Sequence, residues 1–265
     1  MFKNIKIEVP LMSDVFSKGH RPKYLYWVGC AGAYDNRYMK VAKAFAKILN
    51  HLKIDYAVLG TEESCTGDPA RRAGNEMLYQ MQALNNIEIF KKYEVKKILC
   101  ICPHCYNIFK NEYTALGGVY EVIHYTQFLM LQIKNGTLMI DKTKIAGKTV
   151  TFHDPCYLGR ANNEYNAPRF IIKHLGLKHI EMKSNKSFAL CCGAGGAQMF
   201  KDAEKGNKEI FIERIEEALD TNTEIIATSC PFCMTMLTDG LKYKNKEEEI
   251  KNLDIAELIL ESIGG

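Results

Sequence analysis

The sequence has no apolar run approaching the roughly 18 residues that a bilayer-crossing helix requires, which predicts no direct membrane span. Residues 1–30 lack the apolar stretch and small-residue cleavage site of a secretory signal, so a cytoplasmic protein is expected. Charge of one sign is not in excess either. The 35 basic and 31 acidic side chains leave a net charge of +4 and are interleaved, which removes the electrostatic case for nucleic acid. With 47% apolar and 25% charged residues, the composition excludes a disordered or collagen-like chain. A length of 265 residues accommodates one large domain or two modest ones.

Cysteine, by contrast, is plentiful: the chain has 10. In a reducing compartment such residues read as thiolate ligands or redox groups rather than as a disulfide framework. Scattered cysteines would read as small buried hydrophobes, but these recur in order. Cys30, Cys65, Cys102 and Cys105 are matched by Cys156, Cys192, Cys230 and Cys233 at offsets of 126, 127, 128 and 128, with Cys191 as an additional member of the second set. The drift is small enough to read the chain as a tandem duplication.

The intervening segments repeat as well. Each half opens on a β-rich apolar run, Tyr24 to Val28 and Thr149 to Phe152, followed by a helical pattern at 41–52 and 167–175. A second strand is expected at Tyr56 to Leu59 and at His179 to Met182. Amphipathic helices carrying Gly74-Asn75 and Gly206-Asn207 come next, and then a third strand, Lys97 to Ile101 or Glu224 to Thr228, that runs into Cys-Pro-x-Cys. Strands alternating with helices predict an α/β fold: two Rossmann-like units, each a small parallel sheet flanked by helices. In open sheets of this kind ligands bind beyond the carboxyl ends of the strands, so the cysteines are expected to converge on one rim of each half. The expected division is an N-terminal arm at 1–22, a first domain at 23–140 and a second at 141–265.

A Cys-x-x-Cys pair entering a helix places two sulfurs within reach of one metal, and the helix N-terminus favours the thiolate. The motif alone fits a redox dithiol, half of a zinc site or part of a cluster site. Pro103 and Pro231 suit the first turn of the helices that follow. Zinc asks for four ligands, the number in the first half, whereas the second half offers five, including adjacent Cys191 and Cys192. Neighbouring thiolates bridge different metal atoms more readily in a polynuclear cluster, which favours iron–sulfur there. Gly193, Gly195 and Gly196 allow backbone N–H groups to approach inorganic sulfide. A phosphate loop is disfavoured because no Lys-Ser/Thr follows these glycines.

Cys156, Cys191-Cys192-Gly193 and Cys230-Pro231-Phe232-Cys233 are similar to the cysteine-rich CCG domain of the B- and D-type heterodisulfide reductase polypeptides and related iron–sulfur oxidoreductases. Those relatives include the lactate-utilisation, glycolate oxidase and glycerol-3-phosphate dehydrogenase iron–sulfur subunits. The resemblance covers about residues 23 to 262 and both halves. It implies a [4Fe-4S] cluster of noncubane type held by Cys156, Cys191, Cys192, Cys230 and Cys233. In the first half Ser64 stands where the first cysteine of the pair is expected. Cys30, Cys65, Cys102 and Cys105 are then left to hold an ordinary cubane cluster, a zinc ion or a degenerate structural site.

His153, in a His-Asp-Pro-Cys stretch similar to the family's own, is the candidate catalytic residue. It reads as a donor or proton carrier beside the cluster, against a plain role capping the strand. His104 is expected to point outward and Cys100 to belong to the core. Asp68-Pro69 and Asp154-Pro155 read as helix-start or turn signals. Arg71, Arg72 and Arg160 are candidates to face an anionic substrate, with salt-bridged roles favoured. The chain lacks a ferredoxin-type Cys-x2-Cys-x2-Cys-x3-Cys run, so electrons are expected to pass to or from another polypeptide. The resemblance implies a ferredoxin-type or flavoprotein partner, and a membrane haem or quinone subunit that would place the protein at the inner face of the membrane. Two mechanisms are open, disulfide reduction and electron relay, and the single complete motif favours the relay. The rivals are a zinc-stabilised scaffold without redox activity and a thiol–disulfide exchanger using Cys230 and Cys233.

Overall fold

The computed structural model describes residues 7–202 and 205–264. Each half forms a four-stranded sheet in which every pairing is parallel. In the first, β1 (Tyr24–Trp27), β2 (Tyr56–Ala57), β3 (Lys97–Cys100) and β4 (Glu121–His124) lie in the order β2-β1-β3-β4. In the second, β5 (Thr149–Phe152), β6 (Lys178–His179), β7 (Ile225–Thr228) and β8 (Lys251–Asp254) repeat it as β6-β5-β7-β8. The central strands are buried on both faces, so they read as continuous apolar runs, and the predicted α/β duplication is what forms.

The differences from expectation lie at the sheet edges. β4 and β8 have the burial of edge strands, exposed at the start and buried only at the last residue, and no apolar run announces them. Their pairing with β3 and β7 creates them. β2 and β6 shrink to two residues each, and β6 lies at Lys178–His179, just before most of the segment expected there. Gly74-Asn75 and Gly206-Asn207 precede their helices instead of lying inside them. The Asn75 side chain accepts from Leu78 N and caps the helix Glu76–Lys92.

Of the arm expected at 1–22, residues 1–6 lie outside the described residues. The remainder packs on its own chain: Leu11 bridges Val58 in parallel, Met12 N donates to Val58 O at 2.8 Å, and the Met12 side chain enters the first-half core.

One apolar core joins the two halves. The helix Tyr38–His51 packs on Ile255–Ser262, and Tyr125–Lys134 packs on Asn166–His174, the equivalent crossing. Val41, Phe45, Ile48 and Leu49, at three- and four-residue spacing, form the buried stripe of the first of these helices. Polar ties close the seam, with Arg37 gripping both Glu257 oxygens at 2.7 Å and Tyr125 Oη donating to Asp254 Oδ1 at 2.7 Å. This crossed packing holds the carboxyl ends of β3 and β7 against each other.

Candidate metal centre

Every repeat cysteine leaves the end of a strand or enters a helix, or lies on a loop beside one. Cys30 lies in the short helix Gly29–Tyr34 after β1, and Cys156 follows β5. Cys102 and Cys230, after β3 and β7, are the N-caps of the helices Pro103–Asn107 and Pro231–Tyr243, with proline at the first helical position as expected. Cys65 and the Cys191-Cys192 pair come from loops. All ten cysteines are free thiols.

The sulfurs lie in two groups, a Cys30–Cys65 pair and a longer run that crosses between the halves. Cys30 contacts Cys65, and Cys105 contacts Cys102. In the other half Cys156 contacts Cys191, Cys191 contacts Cys192, Cys192 contacts Cys233 and Cys233 contacts Cys230. Cys102 and Cys230 contact each other, so the two sets meet at the seam between the halves. One side of the first set is a cavity lined by Cys30, Cys65, Cys102 and Cys105 together with Pro231 and Phe232 of the second half.

The charge settles on particular sulfurs. The S–H of Cys30 holds Cys65 down to about 7 against its burial, helped by Gly67 N–H at 3.4 Å. Contacts from Cys156 and Cys192, with Gly193 N–H at 3.3 Å, depress Cys191 further. Burial alone would raise Cys102, yet Cys105 and Cys230 keep it well below an ordinary thiol. The lowered sulfurs, Cys65 and Cys102 in one half and Cys191 in the other, are those that most favour the thiolate, the state that binds iron or zinc.

The local geometry corrects the register of the repeat. Gly67 and Gly193 both adopt left-handed φ, +87° and +93°, and each directs its N–H onto the cysteine two residues earlier. Cys65 is thus the counterpart of Cys191 at the same offset, 126, that relates Cys30 to Cys156. Thr66, buried and lining the first cavity, replaces Cys192. Ser64 is not the missing ligand: its Oγ donates to Asn86 Oδ1 at 2.9 Å, and Asn86 in turn anchors the loop through Cys65 O. Pairing Cys65 with Cys192 follows from counting cysteines alone. The glycine supplies the better signal, since it aligns Thr66-Gly67 with Cys192-Gly193.

His104 does not point outward. It is buried, with Nδ1 at 2.9 Å from Asp68 Oδ2, its ring stacked on Tyr157 at 4.1 Å and edge-on to Phe232 at 4.9 Å. Asp68 opens the helix Asp68–Arg72, as expected, and also pairs with Arg72. Arg71 and Arg72 are both tied to Glu112, and Arg160 donates to Ala189 O, so these arginines are structural ties. Asp154 accepts both Nη groups of Arg169 and Lys186 N, which anchors the turn before Cys156. Cys100 is wholly buried in the first-half core.

A ring nitrogen of His153 and the sulfurs of Cys192 and Cys233 lie within 4.8 Å of one another. Its Nδ1 accepts from Arg214 Nε at 2.9 Å, and Nε2 is buried without a partner among the described residues. Burial, then the Arg214 charge, pushes its pKa down to about 3. At the equivalent position stands Trp27, whose buried Nε1 likewise has no partner among them. Cysteine spacing singles out neither Trp27 nor Thr66 nor Arg214. The offset of 126 exposes the first two, whereas nothing local marks Arg214 as buried.

The cysteine-rich domain model of the CCG family matches the chain twice, over residues 24–110 and 150–238. The chain is 45% identical over 259 residues to the probable iron-sulfur-binding oxidoreductase FadF of Bacillus subtilis, covering 97% of this chain and 36% of that protein. It is 43% identical to the EtfAB:quinone oxidoreductase of Syntrophomonas wolfei, over 91% of this chain and 34% of the relative. It is 35% identical to a polypeptide of the dihydromethanophenazine:CoB--CoM heterodisulfide reductase of Methanosarcina barkeri, over 91% and 59%. The chain thus spans about a third of the first two relatives and little more than half of the third. With the glycine-anchored cysteine loop present in both halves, the chain belongs to the CCG cysteine-rich domain family and carries two copies of that domain.

Proposed function

We propose that this chain is the electron-carrying module of an iron–sulfur oxidoreductase, with a [4Fe-4S] cluster, of noncubane type, held by Cys156, Cys191, Cys192, Cys230 and Cys233. A second iron–sulfur cluster would be held by Cys30, Cys65, Cys102 and Cys105. The observation that carries the reading is the contact between Cys102 and Cys230, which joins the five sulfurs of the second half to the Cys102–Cys105 pair of the first. The donor sets suit such groups: five thiols with an adjacent pair in one half, and four in the other. When bound, the clusters supply reversible one-electron storage.

The residues of the chain do the remainder. The helix N-termini after Cys102 and Cys230 and the glycine N–H groups stabilise thiolate charge. His104, Tyr157 and Phe232 fill the space at the seam, and Phe232 also lines the first cavity. Two sites that share a sulfur contact suit a relay better than two independent centres. The electron donor or acceptor is proposed to be a ferredoxin-type or flavoprotein subunit on one side and a membrane quinone-linked subunit on the other, in keeping with the names of the relatives. No described helix is long and apolar enough to cross a membrane, and a peripheral position at the inner face is proposed to come from such a partner.

The test is iron, zinc and acid-labile sulfide per chain on anaerobically purified protein, with EPR before and after dithionite, for wild type, Cys192→Ala and Cys65→Ala. About eight irons, with each variant losing half, support two clusters in series. About four irons, lost only in Cys192→Ala, leave a single cluster and a structural first site. Zinc alone overturns the oxidoreductase reading.

A further inference from the structure

Both halves place a buried side chain bearing a ring nitrogen at the same position of the repeat, three residues before the first cysteine, at the end of the strand that leads to it. In the first half it is Trp27 and in the second His153. Both side chains are 1% exposed, and Trp27 Nε1 and His153 Nε2 have no hydrogen-bond partner among the described residues. An unsatisfied buried donor costs on the order of 1 to 3 kcal/mol, so two at equivalent positions call for an acceptor that both sites provide. The position of Gly29 locates the first: a Cβ there would lie 3.6 Å from Cys105 Sγ and 3.8 Å from Trp27 Nε1. The indole nitrogen therefore borders the same small volume as a ligand sulfur. For the second, Cys192 and Cys233 lie within 4.8 Å of a His153 nitrogen.

Arg214 decides what His153 can do. It is fully buried, and its Nε–H donates to His153 Nδ1 at 2.9 Å while Nη1 donates to Ser184 O and to Glu217 Oε2. A guanidinium has five donors and no acceptor, so Nδ1 must present a lone pair, and in a neutral imidazole the proton then resides on Nε2. A His153 that ligated metal through Nε2 would need its proton on Nδ1, facing the Arg214 N–H, two donors against each other. A His153 that carried protons would need Nδ1 protonated in turn, with the same clash. Indole has no choice at all, since Nε1–H only donates.

We infer that Trp27 and His153 are matched N–H donors to cluster sulfur, one per half, and that Arg214 is the positioning residue that fixes the His153 proton on Nε2. This rests on the iron–sulfur reading above. Donors to the sulfurs disperse the negative charge of the reduced state and so favour reduction. His153 thus sets the reduction equilibrium of the second site and Trp27 that of the first.

Two measurements test it. Because the chain has a single tryptophan, indole-15N protein prepared anaerobically reports one nitrogen, and 15N-His and H2O/D2O exchange report the other. Pulsed EPR of the dithionite-reduced wild type is expected to show a coupled indole 15N and a coupled exchangeable histidine proton. No variant is needed, so folding is not at issue. EPR-monitored redox titration of Trp27→Phe and His153→Phe is then expected to shift one cluster each toward the oxidised form, about tenfold, which is about 59 mV for a one-electron couple. Iron content should be unchanged, and His153→Gln should restore part of the shift.

Loss of iron in His153→Phe would make His153 a ligand and overturn the inference. Unchanged iron with unchanged potentials and no nitrogen or proton coupling would overturn it while leaving the two clusters standing. Absence of iron from the wild type would overturn both.

Discussion

The two halves are built on one plan and finished differently. They share strand order, the left-handed glycine after the cysteine loop and a Cys-Pro-x-Cys helix start. The first surrounds its central strand with aromatic rings, Trp27 against Phe109 at 4.8 Å and Phe90 at 5.8 Å, and anchors its loop with Glu63, which accepts from Val28 N and Gly29 N. At the end of the corresponding strand the second places charge instead: Asp154 with Arg169, and His153 with Arg214 and Glu217. An apolar surround weakens the anionic form of whatever it encloses, and Glu63 shows the effect, its carboxyl pushed up to about 7 by burial. Duplication thus supplied the geometry twice, and divergence of the surroundings distinguishes one site from the other.

Breaking the comparison at its seam has the largest expected consequence. Cys230→Ala removes the thiol that touches both sets and is expected to empty the second site and disturb the first, whereas Cys30→Ala, whose sulfur contacts only Cys65, should affect only the first. Iron and sulfide per chain separate these outcomes; equal losses in both variants would refute a privileged role for the contact. Thr66→Cys sharpens the comparison instead by restoring the fifth thiol. The first-site EPR signal is expected to approach that of the second, and an unchanged spectrum would argue against the corrected register.

Asp154→Ala removes the buried partner of Arg169 and is expected to destabilise the chain by about 3 kcal/mol in urea unfolding. The first half has Val28 at that position and no such pair to lose.

The N-caps of the two closing helices titrate in opposite senses. Burial pushes Asp254 up to about 7, so the folded state holds its proton more tightly than the unfolded chain, and its contribution to stability declines as pH rises from about 4 to 7. Burial pushes His124, its counterpart, down to about 3, so its contribution is lost as pH falls below about 6.5. The urea midpoint of Asp254→Asn should therefore change less with pH than the wild type on the alkaline side of about pH 5. That of His124→Gln should change less on the acid side of about pH 6, and identical profiles would contradict both assignments. The smallest effect is expected for Ser64→Ala: less than about 1 kcal/mol from one lost hydrogen bond and no change in iron.

Much of this was legible in the chain. Cysteine order, the apolar runs of β1, β3, β5 and β7 and the prolines after Cys102 and Cys230 are local signals, because a buried parallel strand and a helix start each require particular residues in sequence. Edge strands β4 and β8 were hidden, since their four residues carry little apolar pattern and are held by neighbours 24 to 26 residues away. His104 read as exposed because its partners, Asp68, Tyr157 and Phe232, come from three distant segments. Counting thiols concealed that Thr66 had replaced one.

Residue order alone requires that thiolates gather at the carboxyl rim of two parallel sheets, because alternating strands and helices leave that edge open to a ligand. That the two rims face each other is an outcome of packing. Helix Tyr38–His51 packs on Ile255–Ser262 and helix Tyr125–Lys134 on Asn166–His174, and this crossed burial brings Cys102 against Cys230. Packing also sets which way the buried donors face, since the proton on His153 is fixed by Arg214, a residue 61 positions away.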